Sequence, residues 1–170
     1  LLIIFSLLLT SVSGSKDIDD KDLVYRDGLY YEKFTNEPFT GKLIGKIKGK
    51  IKEGKRVGEW LWYYDNGQLQ MKNNYKDGKQ DGEKLRYYDN GHLQIKVNYK
   101  EGKWEGKFIE YHKIGITINN GVISNIGPIS NIGNYKNNEK EGKWLNYDKN
   151  GKLKKTEIYK NDKLIETIKH

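Results

Sequence analysis

The chain has 170 residues, enough for one domain or a short repeat array and too few for two full domains. Hydrophobic residues make up 35% and charged ones 32%, a balance too polar for a globule with one thick core. The formal charge of +8 comes with both signs interleaved, as in Lys76-Asp77-Gly78-Lys79-Gln80-Asp81, which reads as solvated surface and argues against a nucleic-acid tail.

The first segment, Leu1 to Leu9, is apolar and is followed by the small residues Thr10 to Ser15. It is shorter than the roughly 20 apolar residues that a membrane-spanning helix needs. It reads instead as a signal peptide over 1–14, cleaved near Ser13 or Gly14, with an uncleaved anchor as the alternative. The basic residues and initiator Met that precede such a core are missing, so the leader is expected to be truncated at its start. An exported protein follows as the expectation: periplasmic, cell-surface or secreted. With no Cys, neither a disulfide nor a lipidated cysteine is available.

Residues 15–22 read as a linker and 23–53 as divergent opening hairpins. There Val24 to Tyr31 forms a short strand pair around Asp27-Gly28, Pro38-Phe39-Thr40-Gly41 a turn, and Lys42 to Lys52 alternating Lys/Ile strands.

From Gly54 the chain repeats. Gly54, Gly58 and Gly67 recur 24 positions later as Gly78, Gly82 and Gly91, and again as Gly102, Gly106 and Gly115. A fourth copy, with Gly142 and Gly151, is displaced by 36, so twelve extra residues are expected around 117–134. That stretch holds a small duplication, Ile123 to Gly127 and Ile129 to Gly133. The expected fold is all-β: an elongated antiparallel β-hairpin (meander) sheet of 24-residue units, preceded by the signal peptide. The composition agrees, with 13 Tyr, 19 Gly and no Ala. Asp65-Asn66-Gly67 and Asp89-Asn90-Gly91 supply the Asn-Gly pair of a tight hairpin, in which both residues take positive φ. Second strands run over Leu69 to Tyr75 and Leu93 to Tyr99. Lys154 to His170 is expected to cap the array.

Two columns alternate along each first strand: Leu61, Leu85, Ile109 and Leu145, then Tyr63, Tyr87, Tyr111 and Tyr147. Period two puts them on one face, taken as the structural one. The intervening columns then give an outward candidate binding face of Trp60, Trp62, Tyr64, Arg86, Tyr88, Phe108, His112 and Trp144. Aromatic and cationic groups of this kind bind proteins, glycans or headgroups when exposed. The competing reading has these rings covering the second face of a thin sheet or packing under the segment next to the leader.

Catalytic chemistry finds little support. The six Ser residues lie at 6, 11, 13, 15, 124 and 130, in the leader region or the insert, and the three His at 92, 112 and 170 have no metal-ligand spacing. His92 reads as a solvated turn residue and His112 as an ordinary surface one. Gly49 to Lys55 imitates a phosphate loop but continues with Arg56 and a strand, where Ser or Thr and a helix are required. Asp65, Asp89 and Asp148 suit turn chemistry better than a calcium site. No catalytic residue, cofactor or metal is expected, and the protein is read as a non-enzyme.

The phrase G-x-W/F-x-x-Y-Y-x-N-G-x-L at 58–69 and 82–93, and in part at 142–153, resembles the MORN-repeat-variant family, including proteins labelled YwqK-type antitoxins. Asp27 to Tyr31, Phe34-Thr35 and Pro38 to Lys42 add to the match. The resemblance implies a β-hairpin repeat sheet and a binding role, with no catalytic residues to carry over. Thr117 replaces the leucine of the third unit, and Asn138 and Asp162 stand at glycine positions. These departures put hairpin regularity around 116–138 in question. The expected function is a protein-interaction scaffold. An anionic lipid surface or polysaccharide is the alternative ligand, an antitoxin-like protein is a third reading, and nucleic acid is disfavoured.

Overall fold

A computed structural model of the chain describes residues 16–113, 117–119, 122–124 and 126–170. The expected signal peptide lies outside the described residues. The strands are β1 (Lys16–Asp19), β2 (Leu23–Arg26), β3 (Leu29–Glu32), β4 (Gly41–Ile44), β5 (Ile47–Lys52), β6 (Lys55–Tyr63), β7 (Leu69–Lys76), β8 (Lys79–Gln80) and β9 (Gly82–Tyr87). They continue as β10 (Leu93–Lys100), β11 (Lys103–Tyr111), β12 (Thr117–Asn119), β13 (Val122–Ser124), β14 (Ile129–Lys136), β15 (Glu139–Tyr147), β16 (Leu153–Lys160) and β17 (Lys163–Lys169). One 3-10 turn, Asp20–Asp22, interrupts the described strands.

The described residues form a 13-stranded sheet in the order β1-β4-β5-β6-β7-β9-β10-β11-β14-β15-β16-β17, with β8 against β7. Neighbours are antiparallel except for the parallel β1–β4 pair at one edge. This is the expected all-β meander: each unit contributes two strands and advances the sheet by about 10 Å. Hairpins β2–β3 and β12–β13 stand apart as two-stranded sheets.

The two kinds of connection exchange the roles expected of them. The tight two-residue turns lie between units, where Asp77 and Gly78 have φ of 50° and 83°, and Glu101 and Gly102 have 51° and 84°. Both central residues are left-handed, as a type I′ hairpin turn requires. Within a unit, Asp65-Asn66-Gly67 makes a longer loop in which only Gly67 is left-handed, at 81°. Asn66 keeps an ordinary backbone and uses its Oδ1 to accept the Gln68 amide at 3.0 Å. Asn138 and Asp162 hold φ of 75° and 63° at glycine positions, so the inter-unit turn survives both replacements.

The recurrent mid-strand glycines set the register. Lys48 pairs with Leu61 and Lys50 with Val57, so two residues of β5 face four of β6. The same two-for-four step recurs between Val97/Tyr99 and Phe108/Trp104, and between Ile132/Asn134 and Leu145/Glu141. Gly58, Gly106 and Gly142 lie in these bulges with φ of 66°, 83° and 70°.

The bulges bring one row of residues into line across the sheet. Leu43 faces Gly49, Trp60 faces Asn73, Lys84 faces Val97, Val97 faces Phe108, Phe108 faces Gly133 and Trp144 faces Glu157. Most of the buried apolar residues lie here, with Trp60 1%, Val97 1%, Phe108 7% and Trp144 4% exposed. The leucines taken for the structural face are only half-buried. That assignment is corrected: the Trp/Phe face carries the core, and the Leu/Tyr face is the more open one.

Two aromatic clusters result. Ile18, Phe39, Leu43, Ile51 and Trp60 form the first, covered by Leu23 and Tyr30 of the β2–β3 hairpin. Val97, Phe108 and Trp144 form the second, flanked by Tyr99, Trp104, Tyr135 and Tyr159. In the unit between them, Lys84 and buried Asn73 stand in the aromatic row.

The insertion is also re-placed. Ile129 starts β14 and pairs near Tyr111, so it holds the leucine position of the third unit in place of Thr117. Residues 129–134 therefore belong to the repeat, and the extra residues fall in the loop before them.

A Cβ on Gly49 would lie 2.3 Å from the Trp60 ring, whereas one on Gly58 would meet nothing within 4 Å. Gly58→Ala should therefore cost only the left-handed backbone penalty, about 1–2 kcal/mol, and Gly58→Asn should cost less. Gly49→Ala should cost about 1–3 kcal/mol by displacing the ring, and Gly49→Asn more, not less. Urea unfolding midpoints of the four variants check this opposite ranking.

Candidate functional site

The structure separates the eight residues proposed for the binding face. Trp60, Phe108 and Trp144 are core and present no free ring. The competing reading holds for them: Trp60 packs under the N-terminal hairpin, and Trp144 lies flat on Gly133, where a Cβ would come within 2.3 Å. Trp62 is half-buried beside Trp60, with ring centroids 5.8 Å apart, and its outer side lines an open groove with Asp19, Lys46, Tyr63 and Gln70. Arg86 is exposed, opposite Met71 and Ile95.

The remaining three clamp one unit to the next. Tyr64 Oη donates to the Tyr87 carbonyl at 2.8 Å, and Tyr88 Oη donates to the Tyr111 carbonyl at 2.8 Å. His112 Nε2, as the N–H tautomer, reaches the Tyr147 carbonyl at 2.9 Å. A column that varies from Tyr to His thus keeps one job, presenting a ring donor to the end of the next unit's first strand. Asp148, the fourth member, turns its carboxylate back on its own loop and accepts the amides of Asn150 and Lys152, both at 2.9 Å. These backbone hydrogen bonds hold its carboxyl below the usual range.

The opposite rim is stitched as well. The Gly78 amide donates to the Arg56 carbonyl at 3.0 Å, Gly102 to Gln80 at 2.7 Å, and Asn138 to Trp104 at 3.0 Å. Carboxylates of Asp81, Glu105 and Glu141 cap the turn amides of Glu101, Asn137 and Asn161. Asn138 Oδ1 also accepts the Trp104 amide at 2.7 Å, a bond that a glycine at this position cannot make. This clamp network went unseen in the sequence. Its signal was the recurrence of Asp, Glu and Tyr at fixed offsets from each turn.

A cation sits above the buried Trp ring in each of two units. The Arg56 guanidinium lies 4.6 Å from the Trp60 ring centre and contacts Tyr30, Trp62 and Tyr75, and Lys140 Nζ lies 4.6 Å from both Trp144 and Tyr159. His92, expected to be solvated, is instead 3% exposed. The adjacent Leu93 bridges to Ile126, which brings the end of the insert against this loop. Asp65 and Asp89 are ion-paired with Lys46 and Lys113, which lower their carboxyl pKa values. Among the described residues, no group of three or more His, Asp or Glu is placed to hold a metal.

Replacing Tyr88 with Phe deletes one inter-unit bond and should cost about 1 kcal/mol, whereas Trp60→Ala should cost about 3–5 kcal/mol. Chemical denaturation of each variant measures the difference. The lowered carboxyls also set a pH dependence. Glu157, held down first by its hydrogen bond from Lys155, contributes stability above its unfolded pKa and loses it as pH falls through the folded value. Unfolding midpoints should therefore fall on the acid side, and Glu157→Gln should make that fall shallower.

The sequence model of the MORN repeat variant matches residues 56–77, 80–101 and 140–161. No match is found among curated proteins. Each matched stretch begins inside a unit's first strand, runs through the intra-unit loop and ends in the type I′ turn of the next unit. The sheet is therefore built in part from MORN-variant repeats, three of which are matched directly.

Proposed function

We propose that the chain is a non-catalytic, exported scaffold that binds a protein partner across the open faces of its repeat sheet. MORN repeats are in general associated with binding or interaction roles. The observation that carries the reading is the double stitching of the sheet. Ring clamps on one rim and turn amides on the other hold a long surface in fixed register, so its exposed side chains are displayed at a constant spacing. Such pre-organisation lowers the entropy cost of docking a partner. The resolved pKa shifts follow from ion pairs, hydrogen bonds and burial at scattered positions, and among the described residues no poised acid, base and nucleophile converge.

Export rests on the apolar run before Ser15. N-terminal sequencing of the native protein should find its start near Ser13 to Ser15 in an extracytoplasmic fraction. A cytoplasmic protein whose natural gene lacks the leader would favour the antitoxin-like reading instead.

The binding claim is tested by cross-linking the native protein in its own compartment, followed by hydrogen exchange on the purified complex. Protection should fall on open-face positions such as those around Arg86 or the Leu/Tyr columns. Protection confined to the β2–β3 hairpin, or loss of the cross-linked species without any sheet protection, would overturn it. Binding to glycan or vesicles in place of protein would favour the alternative.

A further inference from the structure

The repeat supplies its own reference for unusual surface. On the open face, the position of Lys50 is held in later units by Asn74, Asn98, Asn134 and finally Ile158, and that of Val57 by Asp81, Glu105 and Glu141. These two columns meet across strands: Asn134 pairs with Glu141, whereas Lys50 pairs with Val57. The first unit has thus gained a cation and lost an acid at one contact.

The surrounding residues strengthen the departure. Lys42 lies directly opposite Lys50, whereas Lys52 opposite Lys55 is the ordinary turn pair of the repeat, matched by Lys76–Lys79, Lys100–Lys103 and Lys160–Lys163. Lys48 shares the column of Lys72 and Lys96, which are ion-paired with Glu59 and Glu83, but it has no carboxylate and rests over the Tyr63 ring at 5.1 Å. All five lysines, at 42, 48, 50, 52 and 55, are exposed and none is in an ion pair among the described residues. The acids nearest in register or sequence are Asp17, opposite Lys42 on β1, Glu53 in the turn, and Glu59 on β6 between Val57 and Leu61, which is already ion-paired with Lys72. Like charges facing each other across strands destabilise a sheet, so the Lys42–Lys50 pair is a cost with no return inside the fold, where later units pair Asn74 with Glu59 and Asn98 with Glu83.

We propose that this face of β4, β5 and β6 docks an extended acidic segment of a partner protein. The proposal rests on the scaffold reading above and names the chemistry of its partner. Lys48, Lys50 and Lys52 alternate along one straight strand, so their stems recur about every 6.6–6.8 Å. An extended peptide presents alternate side chains at the same interval, and an acid at every second position would meet each ammonium in turn. Half-buried Leu61 and Tyr63 lie on the same face beyond the lysines and offer apolar contact to the segment's other residues.

The test uses the chain from Lys16 onward and a fluorescein-labelled peptide in which Glu alternates with Thr. The comparison peptide has the same composition with its Glu residues in one block. Lys50→Asn with Val57→Glu restores the pattern of the other units, so the variant keeps residues that this sheet already accommodates. The charge-matched control is Lys160→Asn with Lys163→Asn at a distant turn. Fluorescence anisotropy should show binding of the alternating peptide that weakens about tenfold in the restored variant, stays within about twofold in the control, and falls as salt rises. Absence of binding, equal loss in both variants, or equal affinity for the block peptide would overturn the proposal. Vesicles containing phosphatidylserine form the last arm, and their capture in a Lys50-dependent way without peptide binding would assign the face to a lipid surface. If peptide binding fails while the cross-linked protein partner persists, the docking site is wrong and the scaffold reading stands.

Discussion

The fit between a large ring and the residue beside it on the neighbouring strand governs this structure. Beyond the β2–β3 hairpin over the first cluster, the sheet has no second layer among the described residues, so its rings find most of their cover along the sheet. The three aromatic units solve this in complementary sizes. Trp60 lies on Gly49 and Trp144 on Gly133, while the smaller Phe108 faces Val97. The bulge glycines make the fit possible, because two extra residues in each first strand bring the ring into line with its partner. In the second unit Lys84 and Asn73 occupy the same places, and the apolar core divides into two clusters there.

The rims convert these local fits into one object. Each of the first three units hands a ring donor to its neighbour at the loop end and receives a turn amide at the other. Both sets are short-range bonds between adjacent units, so stability accumulates along the array as nearest-neighbour terms. Substitutions along the clamp columns are tolerated where the replacement keeps the bond. His112 does so in the Tyr column, and Asn138 adds a bond at a glycine position.

Much of this was legible in the sequence. The 24-residue spacing and the second strands from Leu69 and Leu93 follow from glycine recurrence and alternation, and the repeat family from its resemblance in the phrase at 58–69 and 82–93. The faces were not legible, because period two separates two sides of a strand without saying which one is covered. The Leu/Tyr columns looked more regular, and regularity was taken for burial. Yet the varied Trp60, Lys84, Phe108 and Trp144 column carries the core, its variation matched by its cross-strand neighbours. The turn types exchanged for a related reason: Asn66-Gly67 has the residues of a tight turn, but loop length decides the geometry, and the two-residue connection is Asp77-Gly78. His92 was misplaced because its position after a turn glycine does not reveal that the adjacent Leu93 bridges to Ile126, distant in sequence.

The ring-to-neighbour fit is tested most directly by converting one pair into another. Gly133→Val alone should be strongly destabilising, since the Trp144 ring occupies the space its side chain needs. Adding Trp144→Phe recreates the Val97–Phe108 pairing of the preceding unit and should recover most of the loss. A coupling energy of at least about 1 kcal/mol in this double-mutant cycle is the predicted result, and losses that simply add would contradict the account.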